Sequence, residues 1–190
     1  MIEMMSEPDE ATEHEIIQQC LEGNRDRFAL LVDRYKDMAC NIAYRLVGDR
    51  DVAGDMAQEG FIAAYSSLAD FHQGSKFSSW LYRIVVNKCK DHLRGRRETV
   101  PVDELGEVLC GREQTPEQAL SSRQTGDAVQ QALNALPLEY REVIVLKHIE
   151  ELEYQEIAAI LGSSVNALKV RAHRGREMLK QLLQGTGVGS

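Results

Sequence analysis

A Gly-Ser-Ser turn at residues 162–164, with apolar residues at helical spacing on both sides, restricts this chain more than any other feature. Before the turn, Ile157, Ala158 and Leu161 share one side of a short helix over Tyr154–Leu161. After it, Leu168, Ala172, Gly175, Leu179 and Leu182 recur at spacings of 4, 3, 4 and 3, the stripe that one face of an α-helix buries. Ser164 is placed to cap the second helix, because a serine hydroxyl accepts from a backbone N–H that the first helical turn leaves without a partner. A short helix, a tight turn with glycine and a long second helix are the parts of a helix-turn-helix. At about 100° per residue, Asn166, Val170, His173, Arg174 and Glu177 lie opposite the core stripe, with Lys169 and Arg176 along one edge and Arg171 along the other. On its own this basic face could simply solvate a structural helix. After a turn and a short helix, it has the chemistry to meet phosphates and base edges of duplex DNA.

The remainder reads as helix. Thr12 and Glu15 have capping-box spacing ahead of Ile16–Leu21,. Gly23-Asn24 breaks that segment, and a helical pattern follows from Phe28 to Leu46, ended by Gly48-Asp49. Asp51–Leu68 carries Ala53, Met56, Ala57, Gly60, Phe61 and Ala64 on one side. A polar loop, Ala69–Ser75, precedes a helix over Phe77–Arg94 with Phe77, Leu81, Ile84, Val85 and Cys89 on its apolar face. Residues 95–125 change character: glycines, Pro101, Pro116 and many acids, with weak periodicity,. The expected architecture is all-α, with two small helical domains over 11–95 and 126–184 joined by a flexible acidic linker over 96–125.

Charge distribution says more than the net charge of −8. Residues 1–26 hold eight acids against one Arg, and residues 98–117 six acids against one Arg. By contrast, seven Lys/Arg face one Asp over 76–97, and five face one Glu over 169–180. Local field rather than net charge governs phosphate binding, and the acidic surplus is expected to hold the free chain off DNA. No apolar run approaches the ~18–20 residues that span a bilayer, and the acidic start lacks the apolar core of a signal peptide, so the expected compartment is the cytoplasm. The four cysteines (20, 40, 89 and 110) form no C-x-x-C pair, and free thiols are expected. Cys89 and His92 alone cannot supply the four ligands of structural zinc, so neither a metal nor a cofactor is expected. The five histidines are scattered and no nucleotide-binding glycine motif occurs, which argues against an enzyme with a small-molecule substrate.

The Phe77–Arg94 helix has a second face. Lys76, Arg83, Asn87, Lys90 and Arg94 fall on one narrow side of the wheel, bordered by Trp80. A basic stripe beside an aromatic has the composition to hold a phosphate backbone and stack on unpaired bases, although a core Trp with solvating cations is equally compatible with the spacing alone.

Two sets of residues carry a family resemblance. Leu136-Pro137, Tyr140-Arg141-Glu142-Val143, Leu146, Tyr154-Gln155-Glu156-Ile157-Ala158, Leu161-Gly162 and Lys169–Arg174 resemble region 4 of sigma factors. Asp51–Phe61, Phe77–Ile84, Asn87, Asp91, Leu93 and Arg94 resemble region 2. The chain is thereby identified as similar to the extracytoplasmic-function (ECF) sigma factors, the short promoter-recognition subunits of bacterial RNA polymerase. The resemblance implies −35 contacts from Asn166, Lys169, Val170, Arg171, His173, Arg174 and Arg176. It implies −10 contacts from Phe71, His72, Gln73, Lys76, Trp80, Arg83, Asn87, Lys90 and Arg94, with the 71–75 loop pocketing a flipped base. It also implies docking of Asp51, Asp55, Gln58 and Glu59 on the β′ clamp helices of the polymerase core, contact of the second domain with the β-flap, and an anti-sigma factor as partner. One departure is Asn166-Ala167-Leu168 where the family usually has Gly-Thr-Val, which removes a threonine hydroxyl from the phosphate contacts. A helix-turn-helix regulator explains 137–183 but not the Phe77–Arg94 stripe. A mimic that only sequesters an anti-sigma factor needs no exposed Lys169, Arg171 and Arg174.

Overall fold

The computed structural model describes residues 12–72, 74–99 and 118–185. Four helices form the first half: α1 Glu13–Leu21, α2 Phe28–Val47, α3 Arg50–Ser66 and α4 Phe77–Thr99. The ends are set locally. Thr12 and Glu15 close the capping box at α1, and the Asp49 carboxylate accepts from the N–H groups of Asp51 and Val52 at the start of α3,.

The apolar stripes meet in one core. Ile16 and Ile17 of α1, Leu31, Ile42 and Leu46 of α2, Met56, Phe61 and Ala64 of α3, and Leu81, Val85 and Cys89 of α4 are all buried. Burial pushes the Cys89 thiol up to about 12, so it is packed as a small apolar side chain,. Gly60 allows the approach of α3 to α4: a Cβ there would lie 2.7 Å from a Val85 methyl.

The second half comprises α5 Gln118–Ala135, α6 Leu138–Ile144, α7 Tyr154–Leu161 and α8 Val165–Gly185. Pro137, which cannot continue a helix, separates α5 from α6,. The sequence pattern suggests a helix running on through Lys147; instead Val145–Ile149 widens into a π-turn, and Glu151 follows with φ of 55°. Leu168, Ala172 and Gly175 of α8 are buried, as are Val143–Leu146 and Ile157.

Two edges of the expected linker are helical. α4 runs to Thr99 and α5 begins at Gln118. Gly95 and Gly126 thus lie within helices, where glycine costs only ~1 kcal/mol relative to alanine and does not enforce a break. Residues 100–117, with Cys110, lie outside the described residues, as do the N-terminal acids up to Glu10.

Gly54 and Gly60 should respond oppositely to alanine. Gly54 has open space at its Cβ position, so Gly54→Ala is expected to stabilise the chain by ~0.5–1 kcal/mol. Gly60→Ala drives a methyl into Val85 and is expected to destabilise by ~1–2 kcal/mol net of the helix-propensity gain. Urea denaturation of the two variants checks both signs.

Candidate nucleic-acid interface

Gly162 closes α7 in the left-handed conformation, and the Ser164 hydroxyl accepts from the Ala167 N–H at 3.2 Å. This turn directs the start of α8 outward. Asn166, Lys169, Val170, His173, Arg174 and Arg176 are exposed and Arg171 is half-buried. Lys169 Nζ lies 6.0 Å from the Tyr154 ring centroid, which Lys147 Nζ approaches at 5.3 Å. Val170 is 52% exposed, an apolar side chain standing among cations. Hydrogen-bonding groups, cations and one apolar contact are together what a major-groove reading face requires.

On α4, Arg83, Asn87 and Arg94 are exposed and Lys90 is half-buried. Trp80 is partly buried in an aromatic cluster, with its ring centroid 5.3 Å from Phe71 and 5.7 Å from Phe77. Phe71 and Trp80 therefore lean on the buried Phe77 while keeping part of their surface open, so the core and stacking readings of Trp80 are compatible. In the loop, His72 is exposed and its carbonyl accepts from both the N–H and the hydroxyl of Ser75. Gln73 lies outside the described residues.

On α3, Asp51, Asp55, Gln58 and Glu59 are all exposed. Glu59 pairs with Lys88 at 3.4 Å. Beside Gln58 an open apolar groove of about 510 Å³ runs between α2 and α3, lined by Phe28, Val32, Ala57, Phe61, Ile62 and Tyr65 among others.

A polar seam, absent from the sequence reading, joins the two halves. Lys90 Nζ lies 3.1 Å from Glu142 Oε2, with side chains 18% and 5% exposed. The contact is ionic, and its alignment is not that of a hydrogen bond. Lys76 Nζ donates to Glu156 at 2.9 Å, and the Tyr82 hydroxyl donates to Glu150. Burial, and then the Glu150 carboxylate, push the Tyr82 phenol above its ordinary range. The Lys76 hydrogen bond, with help from the Glu153 N–H, holds Glu156 below the usual carboxylate range. A depressed carboxylate contributes stability above its unfolded value and loses it as pH falls through the folded one, so this contact weakens in acid.

Further along the seam, Arg141 donates to the carbonyls of Leu46, Asn134 and Leu136. The amide of Gln130 reaches the carbonyls of Tyr44 and Arg45 at 3.3 and 3.4 Å. In the sequence Arg141-Glu142 directly precedes the apolar run Val143–Leu146; the structure buries both, and nothing in the pattern names their partners.

One half thus carries a basic, aromatic-edged helix and the other a helix-turn-helix. The family description "Sigma-70 region 2" matches residues 31–99, and "Sigma-70, region 4" matches residues 126–179. The chain is 38% identical over 177 residues to the ECF RNA polymerase sigma factor SigW of Bacillus subtilis, covering 88% of this chain and 95% of the relative. It is 33% identical over 181 residues to the RNA polymerase sigma-H factor of Pseudomonas aeruginosa, covering 90% and 94%. Among solved structures, CnrH in complex with the cytosolic domain of CnrY is similar at a TM-score of 0.68 and 30% identity, covering 90% of this chain and 96% of the other. The sigma factor RpoE in complex with the anti-sigma factor NepR from Bartonella quintana is similar at 0.69 and 27%, covering 83% and 96%. The chain belongs to the ECF sigma factors of the sigma-70 family.

The buried ion pair makes a quantitative prediction. Lys90→Met leaves the Glu142 carboxylate buried without a cation and is expected to destabilise by ~3 kcal/mol. Adding Glu142→Met should return most of that loss, because two apolar groups replace two charges. A double-mutant cycle in urea measures the coupling; additive losses would contradict it.

Proposed function

We propose that this chain binds bacterial RNA polymerase core and directs initiation at promoters carrying −35 and −10 elements. The observation that carries the reading is that one ECF-family chain presents two different nucleic-acid faces, a helix-turn-helix face on α8 and a basic stripe edged by Trp80 on α4. The first suits duplex DNA; the second suits a separated strand whose bases need a stacking partner.

In this reading the chain works as two units, 11–95 and 126–184, with 96–125 between them. Asn166, Lys169, Val170, Arg171, His173, Arg174 and Arg176 take the −35 duplex. Phe71, His72, Gln73, Lys76, Trp80, Arg83, Asn87, Lys90 and Arg94 take the −10 strand. Asp51, Asp55, Gln58 and Glu59 dock on the β′ clamp helices, with the α2–α3 groove beside Gln58 offering apolar area to the same partner,. The second unit meets the β-flap. An anti-sigma factor is a further partner, by analogy with the relative solved with NepR. The chain performs no chemistry of its own, and it works in the cytoplasm, where polymerase and promoter are. Among the described residues no helix is long and apolar enough to cross a membrane, which accords with that setting.

Transcription with purified core and a library of promoter fragments tests the proposal. Transcripts are expected at a fixed distance from a shared two-part motif. Trp80→Ala should lower their yield on duplex promoters by about fivefold to a hundredfold, from the ~1–3 kcal/mol that base stacking contributes, and the yield should recover on templates already unpaired at −10. Duplex binding without core-dependent transcripts would instead indicate a helix-turn-helix regulator.

A further inference from the structure

We propose that Asn166 and Val170 set the base preference of this chain at the −35 element: Asn166 reads the edge of an adenine, and Val170 reads the methyl of a thymine one or two base pairs away. This rests on the assignment of α8 to the −35 duplex. Asn166 and Val170 stand four residues apart on the outward face of α8, and both are exposed. Four residues advance a helix by ~6 Å, against ~3.4 Å per base pair along a duplex, so the two side chains reach steps one or two apart. Base edges are met by the N-terminal part of a recognition helix, and these residues lie in the first two turns of α8.

The helix cap does not occupy Asn166. The Ser164 hydroxyl fills that role, accepting from the Ala167 N–H at 3.2 Å, and among the described residues the Asn166 amide has no hydrogen-bond partner. A carboxamide offers an acceptor beside donors. Adenine presents the complement in the major groove, an N6 donor beside the N7 acceptor, whereas guanine presents two acceptors and would set one of them against the amide oxygen. Asn166-Ala167 stands where the family usually has Gly-Thr. A hydroxyl that holds phosphate is thus exchanged for an amide, one position earlier, that can tell one base from another.

Val170 is 52% exposed, with Lys169 and Arg171 as its neighbours in the chain. A β-branched side chain in a helix keeps one strongly preferred rotamer, so its methyl groups are held in place before any partner arrives. Lys169 does not cover them, because its ammonium lies towards the Tyr154 ring, 6.0 Å from the centroid. The thymine C5-methyl is the apolar group that base pairs present in the major groove. Cytosine carries only a hydrogen there and loses the contact. The flanking cations can hold phosphates, but phosphate contacts carry no sequence information, which leaves selection at these steps to the two uncharged side chains.

Polymerase core assembled with the full chain, on promoter duplexes chosen from the transcription library, tests this. Each −35 adenine is replaced in turn by 7-deazaadenine, which removes only the N7 acceptor, and each −35 thymine by uracil, which removes only the methyl. Fluorescence anisotropy reads the affinity. One 7-deazaadenine should weaken binding by about twofold to tenfold, as for a lost hydrogen bond. One uracil, no more than two base pairs away, should weaken it by about fourfold, as for an apolar carbon returned to water. Asn166→Ala should erase the first penalty and keep the second, and Val170→Ser should do the reverse. Both positions are exposed, so both variants are expected to keep the wild-type melting profile by circular dichroism. Motif-dependent binding with no penalty from either analogue, or with penalties that survive in the folded variants, would overturn the inference and leave the −35 assignment standing. Binding indifferent to the −35 sequence, in wild type and variants alike, would remove the −35 assignment and the inference with it.

Discussion

The guanidinium of Arg141 is the joint on which the arrangement depends. It sits 8% exposed on α6 and donates to the carbonyl of Leu46 near the end of α2 and to those of Asn134 and Leu136 at the end of α5. The last carbonyls of a helix have no partner within it, and a cation at that end meets both the orphan acceptors and the negative end of the helix dipole. One side chain therefore satisfies two helix termini from different units, and Gln130 of α5 adds contacts to the carbonyls of Tyr44 and Arg45 near the end of α2. With these ends joined, α6 and α7 are brought against α4, and Glu142, Glu150 and Glu156 meet Lys90, Tyr82 and Lys76.

A seam built this way favours one register of the two halves over others. Buried ion pairs add little net stability compared with apolar packing, because desolvation offsets most of the attraction, but they hold one register and punish others. Apolar side chains of both halves continue into one cluster beneath these polar contacts, so the charges set the register while apolar burial supplies the area.

Much of this was legible in the sequence. Helical periodicity found the buried stripes of α2, α3, α4 and α8, because a face that packs must repeat at 3.6 residues. The Ser164 cap and the turn at Gly162 were equally readable, being set within a few residues. The outward faces of α3 and α8 followed as the complement of those stripes. The seam was not legible, because its partners lie 52 to 95 residues apart in the chain and no local pattern links Lys90 to Glu142. The net negative charge pointed to the terminal and linker runs, whereas the acids that meet α4 are Glu142 and two members of the acid-rich 150–156 stretch, Glu150 and Glu156. Trp80 looked like a choice between core and stacking platform; packed against Phe71 and Phe77 with part of its surface open, it can serve as both.

The central claim is that α4 holds the separated −10 strand once core is bound. Placing 2-aminopurine at successive −10 positions of a promoter duplex, and following its fluorescence on adding core together with this chain, tests it most directly. The account predicts an unstacking signal confined to the −10 element, requiring both proteins and lost with Trp80→Ala. Stable binding of core and this chain to the duplex with no unstacking at any −10 position would contradict it.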